Sequence, residues 1–165
     1  MKKICLISIL LIFVISVVIF ISSCIPKSIS LEYPAVQYLP NDNGYKENIK
    51  IRIKGKLYKR IFGNPLFSGD IVIDGYNFTN EYELIPITFN SKISNGMGTL
   101  TYTTVINGNP KLETLGMIWI TDNFKSINIE VNNPNHVGAT ISAPAATLED
   151  AKKVSQTFSF PKLVK

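Results

Sequence analysis

Cysteine and histidine are scarce in this chain, which narrows the chemistry open to it. Among 165 residues there are two cysteines and one histidine. Both cysteines, Cys5 and Cys24, lie close to the N-terminus, so no disulfide is available to a domain built from the later residues. The lone histidine, His136, has no second histidine or later cysteine with which to bind zinc. We therefore predict neither a metal nor a cofactor.

Sequence signatures of catalysis are missing as well. The chain has no Gly-x-Ser-x-Gly elbow, no phosphate-binding loop and no dinucleotide fingerprint. His136 follows Asn133-Pro134-Asn135 in a polar loop, where we expect it to be solvated and not a general base. The carboxylates that could supply a glycosidase pair are predicted to be turn and surface residues: Asp70, Asp74, Glu81 and Glu83. Asp70, Asp74 and Asn77 resemble half of a calcium loop but are predicted to form a turn between strands. We expect a protein that is not an enzyme.

The chain starts with a long uncharged apolar run. Residues 4–21 carry no charge and follow Lys2 and Lys3. As a helix this run would rise about 27 Å, enough to span the hydrocarbon core of a bilayer. A basic start, an apolar stretch and small residues before a cleavage point are typical of an export signal.

The tetrapeptide Ile21-Ser22-Ser23-Cys24 at the end of this run resembles the lipobox of bacterial lipoproteins. The resemblance implies that residues 1–23 are a signal peptide, and that Cys24 receives a diacylglycerol and becomes the first residue of the mature chain. The alternative is that residues 1–23 stay in place as a helical membrane anchor, which their length favours. Both alternatives place the remainder on the outer, extracytoplasmic face of the cell membrane, because Lys2 and Lys3 stay in the cytoplasm.

Residues 24–45 are predicted to be a linker. They contain Pro26, Pro34 and Pro40, with apolar residues scattered between them and a polar stretch, Asn41 to Gly44. A flexible linker of this length would reach on the order of 25 Å from the membrane. The remaining residues, 46–165, are long enough for one hydrophobic core and too short for two domains.

Residues 46–165 have the pattern of a mainly β domain. Apolar and polar residues alternate from Ile49 to Leu57 and again from Ser126 to Val131, and Asn107-Gly108 is a strong signal for a tight hairpin turn. Pro86 confines the strand around 81–89 to an edge or a bulge, and the apolar run 117–120 predicts a strand covered on both faces. A helix is predicted to begin at Thr147. We expect an antiparallel meander of six or seven strands, as a sandwich or small barrel, with one C-terminal helix.

Positive charge is concentrated in the first predicted strand. From Lys46 to Arg60 there are seven basic residues and one acid, whereas the rest of residues 25–165 has eight basic and eleven acidic residues. The alternation places four of these cations on one face: Lys50, Arg52, Lys54 and Lys56. Near an anionic lipid surface each would contribute about 1 kcal/mol, and an acidic wall polymer is an equally available partner.

Two other interpretations of these cations are a structural role and nucleic-acid binding. Lysines on an exposed strand block edge-to-edge pairing and keep a protein soluble. Binding to nucleic acid would need a different location, and charge alone is poor support for it.

The sequence thus predicts a membrane-tethered accessory or binding protein of a bacterial cell envelope. Its partner would contact strand edges, loops or the basic strand, and no protein partner can be named. The alternative is a small barrel that binds an apolar molecule, with aromatic side chains lining the pocket: Trp119, Tyr82, Tyr102 and Phe89. The structural interpretation of these aromatic residues is that they fill the core.

Overall fold

A computed structural model describes residues 13–15, 25–59, 63–90, 96–121, 123–132 and 138–158. Residues 13–15 are helical; the rest of the predicted signal segment, Cys24 and His136 lie outside the described residues. Within the described ranges, no helix combines the length and the apolar character needed to cross a membrane.

The domain is built on one antiparallel sheet of nine strands. The strands are β1 (Lys27–Leu39), β2 (Asp42–Tyr58), β3 (Leu66–Ile73), β4 (Glu83–Leu84), β5 (Ile87–Thr88), β6 (Met97–Ile106), β7 (Asn109–Thr121), β8 (Ser126–Val131) and β9 (Thr140–Ala143). Their order across the sheet is β4-β6-β7-β8-β9-β1-β2-β3-β5. Among the described residues that follow Lys27, two helices pack with the sheet, α1 (Phe78–Glu81) and α2 (Leu148–Gln156). The predicted fold class, mainly β and antiparallel with a C-terminal helix, is confirmed, whereas the strand count is higher than expected.

The sheet curls until its two edges approach each other. Its edge strands, β4 and β5, come from one short segment and are separated only by Ile85 and Pro86. Leu84 pairs with Tyr102 of β6, and Ile87 pairs with Phe67 of β3. Because three residues span at most about 11 Å, the opposite edges of the sheet lie within that distance at this point. Pro86 therefore stands at a sheet edge, as predicted, since it has no amide hydrogen for a ladder.

The expectation of a linker over residues 24–45 is wrong for most of that stretch. Lys27–Leu39 is a strand inside the sheet, paired along its length with β2 and, from Val36 to Tyr38, with β9. Its side chains alternate, with Ile29 and Ala35 facing the core. Pro34 fits because β9 pairs with β1 only from Val36 onward, so one edge of β1 carries no β9 partner at Pro34. The folded domain thus starts at Lys27 and includes the strand that joins the two halves of the sheet.

The inner face of the curled sheet is the hydrophobic core. Isoleucines of β2 and β3 pack there with aromatic side chains from the rest of the sheet. The ring centroids of Phe67 and Phe124 are 4.9 Å apart, and those of Phe89 and Phe124 are 5.9 Å apart. Tyr102 is fully buried, and its hydroxyl donates a hydrogen bond to the Ile71 carbonyl at 2.7 Å. Side chains therefore fill the space that the sheet encloses.

Helix α2 covers part of the outer face of the sheet. Thr147 caps it, because its side-chain oxygen accepts a hydrogen bond from the Asp150 amide at 3.2 Å. Ala151 is buried against Val36, Tyr38 and Ala145 in a second, smaller apolar cluster. All four residues of β9 are buried for this reason, since the core covers one face and the helix lies over the other.

The β6–β7 hairpin is the most exposed part of the sheet. Asn107 and Gly108 have φ values of 52° and 78°, which is the conformation that the predicted tight turn requires. Near this turn, the hairpin exposes three apolar side chains, those of Val105, Ile106 and Leu112. The expectation that residues 117–120 are covered on both faces is wrong at Met117, which is 46% exposed, although Trp119 is buried.

Candidate functional site

The predicted basic residues lie on the outer face of β1, β2 and β3, the part of the sheet that α2 leaves uncovered. Register places them in rows that cross the three strands. One row is Ser30, Lys54 and Asp70, and the next is Glu32, Arg52 and Val72. The row nearest Lys27 is Ser28, Lys56 and Ser68. We call this surface the basic face; its cations are Lys50, Arg52, Lys54 and Lys56.

Two of these four cations are neutralised by acids, one on β1 and one in the turn that follows β3. The Lys50 ammonium lies 3.2 Å from a carboxylate oxygen of Glu32, and the Arg52 guanidinium lies 3.5 Å from one of Asp74. Both pairs are about half exposed, so each stabilises the fold only weakly, by about 0–1 kcal/mol. Lys50 and Arg52 are nevertheless less available to an external anion than the sequence pattern predicts.

Lys54 and Lys56 have no such partners. Both side chains are exposed, and neither forms an ion pair with any residue in the described part of the chain. Lys54 stands directly beside Asp70 in register, yet no ion pair joins these two residues. The exposed hydroxyls of Ser28, Ser30 and Ser68 surround the two lysines. Ammonium and hydroxyl groups together form a surface of hydrogen-bond donors, which favours an anion.

These two lysines lie at the end of the sheet where the strand β1 begins. Ser28 pairs with Lys56, and Lys27 pairs with Leu57. Lys27 follows Cys24 by three residues, so its Cα lies at most about 11 Å from that of Cys24. The strand beside Lys54 and Lys56 therefore begins only three residues after the predicted lipidation position.

A groove of about 680 Å³ crosses the basic face. Its floor is formed by Ser30 and Glu32 of β1, Arg52 and Lys54 of β2, and Asp70 of β3, and its wall by α1 and the residue after it. That wall presents Asn80 and Tyr82. Tyr82 is held in place from the far side, where its hydroxyl accepts a hydrogen bond from Lys111 at 3.3 Å.

Thr79 fixes the wall of the groove to β3. It is buried, and its hydroxyl oxygen accepts a hydrogen bond from the Ile73 amide at 3.0 Å. The same hydroxyl lies 2.7 Å from the Tyr76 carbonyl, to which it donates. Because α1 has only four residues, these bonds rather than the helix itself set the position of Asn80 and Tyr82.

A separate chain of polar groups crosses the inner face of the sheet at the opposite end of β1. The Tyr76 hydroxyl donates to the Gln37 side-chain oxygen at 2.8 Å, and the Gln37 amide nitrogen donates to the Tyr45 hydroxyl at 3.0 Å. Tyr45 in turn donates to Glu47 at 3.4 Å. Burial, followed by the nearby Tyr45 and Glu47, raises the pKa of Tyr76 to about 12. This chain satisfies buried polar groups and contains no group that is charged and buried.

The aromatic residues considered for an apolar pocket do not meet. Tyr102 and Phe89 are buried in the core, whereas Tyr82 is half-buried beside the groove. Trp119 follows the core residue Ile118 in β7 and so lies on the opposite face of the sheet from it. Tyr102 and Phe89 therefore fill the interior, Tyr82 packs against that core from beside the groove, and Trp119 lies apart on the other face.

The acids considered for catalysis or calcium binding are also placed separately. Asp74 pairs with Arg52, while Asp70 lies on the floor of the groove. Across the described residues, no group of three or more His, Cys, Asp or Glu side chains is arranged to hold a metal ion.

Comparison with known proteins assigns no function to the site. No protein-family model, no curated protein and no solved structure matches this chain. The residues that sequence reasoning missed are those of β1: Ser28, Ser30 and Glu32. Their signal was the alternation of Ile29, Leu31 and Tyr33 with these polar residues, which the three prolines of the region obscured.

Proposed function

We propose that this chain is a membrane-tethered, extracytoplasmic binding protein of a bacterial cell envelope, which docks on anionic lipid headgroups through the basic face. The observation that carries the proposal is the position of Lys54 and Lys56, which form no ion pair within the described part of the chain and lie opposite Ser30 and Ser28, at the end of the sheet where β1 begins. A tether at Cys24 would hold them within reach of the membrane without any linker. Because residues from Lys27 onward form the strand β1, the sheet starts close to the tether. A flexible linker over residues 24–45 would instead have let the sheet move away from the membrane.

Electrostatic docking of this kind has a defined size and a defined dependence on salt. Each cation near an anionic bilayer contributes about 1 kcal/mol, so Lys54 and Lys56 contribute about 2 kcal/mol together. The attraction decays within a Debye length, about 8 Å at physiological ionic strength. With a tether at Cys24, Lys54 and Lys56 are the cations of the basic face that are held nearest to the bilayer.

Reconstituted vesicles test the docking. The full chain would carry a fluorophore on Ser68→Cys and would be placed in phosphatidylcholine vesicles with or without phosphatidylglycerol, with a quencher on the lipid headgroups. The chain without Ser68→Cys supplies the background from Cys5 and Cys24. We expect quenching that requires phosphatidylglycerol, decreases with added salt, and is lost in Lys54→Glu/Lys56→Glu.

Lys46 provides a matched control for this test. It is exposed on the same strand and face, but eight residues from Lys54, or about 27 Å along the strand. Lys46→Glu should leave the quenching unchanged. Equal quenching with and without the anionic lipid would contradict lipid docking, and retention of the domain by wall polymer would then identify the other source of negative charge.

The tether is tested separately by mass. Intact-mass analysis of the membrane-extracted protein should give a chain that begins at Cys24 and carries a diacylglycerol, and Cys24→Ala should abolish this species. A mass equal to that of the unprocessed 165-residue chain would refute lipidation and favour the helical anchor.

A further inference from the structure

The groove on the basic face has an ordered pattern of charge. Its two cations, Arg52 and Lys54, are on the central strand β2 and lie two residues apart, which is about 7 Å along a strand. Its two carboxylates are on the flanking strands, Glu32 in β1 beside Arg52 and Asp70 in β3 beside Lys54. The groove therefore offers donors along its centre and acceptors on both sides.

The groove also contains two charges, those of Lys54 and Asp70, that form no ion pair with any residue the structure describes. Glu32 and Arg52 are each engaged by a neighbour on another row, namely Lys50 and Asp74. Lys54 and Asp70 are adjacent in register and exposed, yet they do not form an ion pair with each other. A ligand that inserts between these two side chains would find one free donor and one free acceptor.

The complementary ligand has a single negative charge at its centre and hydroxyl groups on both sides. We propose that the groove binds a polyol phosphodiester, with the phosphate between Lys54 and Arg52 and the flanking hydroxyls donating to Asp70 and Glu32. Asn80 in the wall supplies a further amide to the same polyol. This inference rests on the proposed function, because Lys54 belongs to both sites.

The charge of the groove favours a diester over a monoester. Two cations and two carboxylates line the floor, so the floor is neutral overall. A phosphate monoester is mostly a dianion near neutral pH and would be repelled by Asp70 and Glu32. A diester has one charge, and its hydroxyl groups turn the same carboxylates from repulsive into attractive contacts.

Two sources in a bacterial envelope carry this chemistry. One is the headgroup of phosphatidylglycerol, in which one glycerol is free and the other is acylated. The other is a polyol-phosphate wall polymer, in which both flanking polyols are free. The groove is open and has acceptors on both sides, so a polymer segment satisfies both Glu32 and Asp70, whereas a lipid headgroup presents free hydroxyls to one side only.

Calorimetric titration tests the groove. The full chain in micelles of an uncharged detergent would be titrated with glycerophosphoglycerol, the soluble diester, and with inorganic phosphate. We expect saturable binding of the diester, weakened at least tenfold by Lys54→Gln and unchanged by Lys46→Gln. The absence of saturable diester binding would overturn the proposal.

Asp70→Asn separates a diester groove from a simple patch of positive charge. Removing this carboxylate should strengthen the binding of inorganic phosphate, because a repulsion is lost. It should weaken the binding of glycerophosphoglycerol, because the hydroxyl loses a charged acceptor. If both ligands bound more tightly to Asp70→Asn, the groove would be a charge patch and the diester assignment would be wrong.

A last pair of variants keeps this inference distinguishable from the proposed function. Lys56 lies outside the groove and Asn80 is uncharged, so Lys56→Gln should weaken vesicle docking alone and Asn80→Ala should weaken diester binding alone. Unchanged diester binding in Asn80→Ala would exclude the groove while leaving docking intact. A competition experiment against glycerophosphoglycerol distinguishes the two sources. Soluble poly(glycerol phosphate) that competes better per phosphodiester than micelles of short-chain phosphatidylglycerol identifies the polymer, and the reverse result identifies the lipid. Competition by neither would contradict the proposal.

Discussion

The outer face of the sheet has two regions that differ in what covers them. Over β8, β9 and the end of β1, helix α2 buries the outer face, and even Asn128, Thr140 and Ser142 are inaccessible there. Over β1, β2 and β3 the same face is bare and alternates charged and hydroxyl side chains. The comparison shows that a polar side chain on this sheet is structural where α2 covers it and available to a partner where α2 does not.

The largest effect is expected from breaking the covered region. Ala151→Asp places a carboxylate in the contact between α2 and the sheet, where Ala151 is fully buried. An unpaired buried charge should lower the free energy of unfolding by about 2–4 kcal/mol. Urea denaturation measures this, with Gln156→Asp on the exposed side of the same helix as the control; equal destabilisation by both variants would show that α2 is not docked as described.

A smaller effect should distinguish the serines of the two regions. The Ser142 hydroxyl donates to the Asn128 side-chain oxygen at 2.8 Å in the covered region. Ser142→Ala leaves that oxygen buried without its donor and should cost about 1–3 kcal/mol. The same substitution in the bare region, Ser68→Ala, should change stability by less than about 0.5 kcal/mol. Denaturation midpoints of the two variants test the contrast directly.

Alkaline pH should destabilise the protein through two tyrosines of the inner face, Tyr76 and Tyr102. Burial raises the pKa of Tyr76 to about 12 and raises that of Tyr102 as well, whereas an unfolded tyrosine ionises near 10. Between these values the unfolded chain loses protons that the folded chain retains, so the free energy of unfolding must fall as pH rises. Urea denaturation at pH 9, 10 and 11 should show this fall, and Tyr76→Phe should reduce its slope; an unchanged slope would contradict the assignment to Tyr76.

The smallest expected effect separates the two halves of the basic face. Lys50→Ala removes the ion pair with Glu32 and should cost about 0.2–1 kcal/mol at low salt. Lys54→Ala removes no ion pair and should leave the denaturation midpoint unchanged. A larger loss in Lys54→Ala than in Lys50→Ala would mean that Lys54 is needed for folding and is not held free for a ligand.

Local pattern predicted the parts of the fold that depend on neighbours in sequence. The alternation of β2 and β8, the turn at Asn107-Gly108 and the start of helix α2 at Thr147 are all found where expected. The strand β1 differs from the linker expected there because Pro26, Pro34 and Pro40, followed by the polar stretch Asn41 to Gly44, are typical of a linker. Pro34 is tolerated by a feature that sequence does not display, namely that β9 stops pairing with β1 before reaching it.

The candidate site was predicted in composition but not in arrangement. The pattern placed Lys50, Arg52, Lys54 and Lys56 on one face, and the structure agrees. Which of them are free depends on Glu32 and Asp74, whose positions are set by strand register across 18 and 22 residues of sequence. Local sequence patterns do not show which residues of distant strands lie side by side. The ion pairs of Lys50 and Arg52 therefore could not be predicted from the sequence.

The segment that carries β4 and β5 has a consequence for how the protein avoids self-association. An exposed strand edge is a template on which another chain can add, and most sheets must protect two distant edges. Here one dipeptide, Ile85-Pro86, joins the two strands that cap both edges. Detachment of this single segment would expose the edge of β3 at Leu66 and Phe67 and the edge of β6 at Tyr102 and Thr103 together, so the contacts around Leu84 and Ile87 protect both places at once.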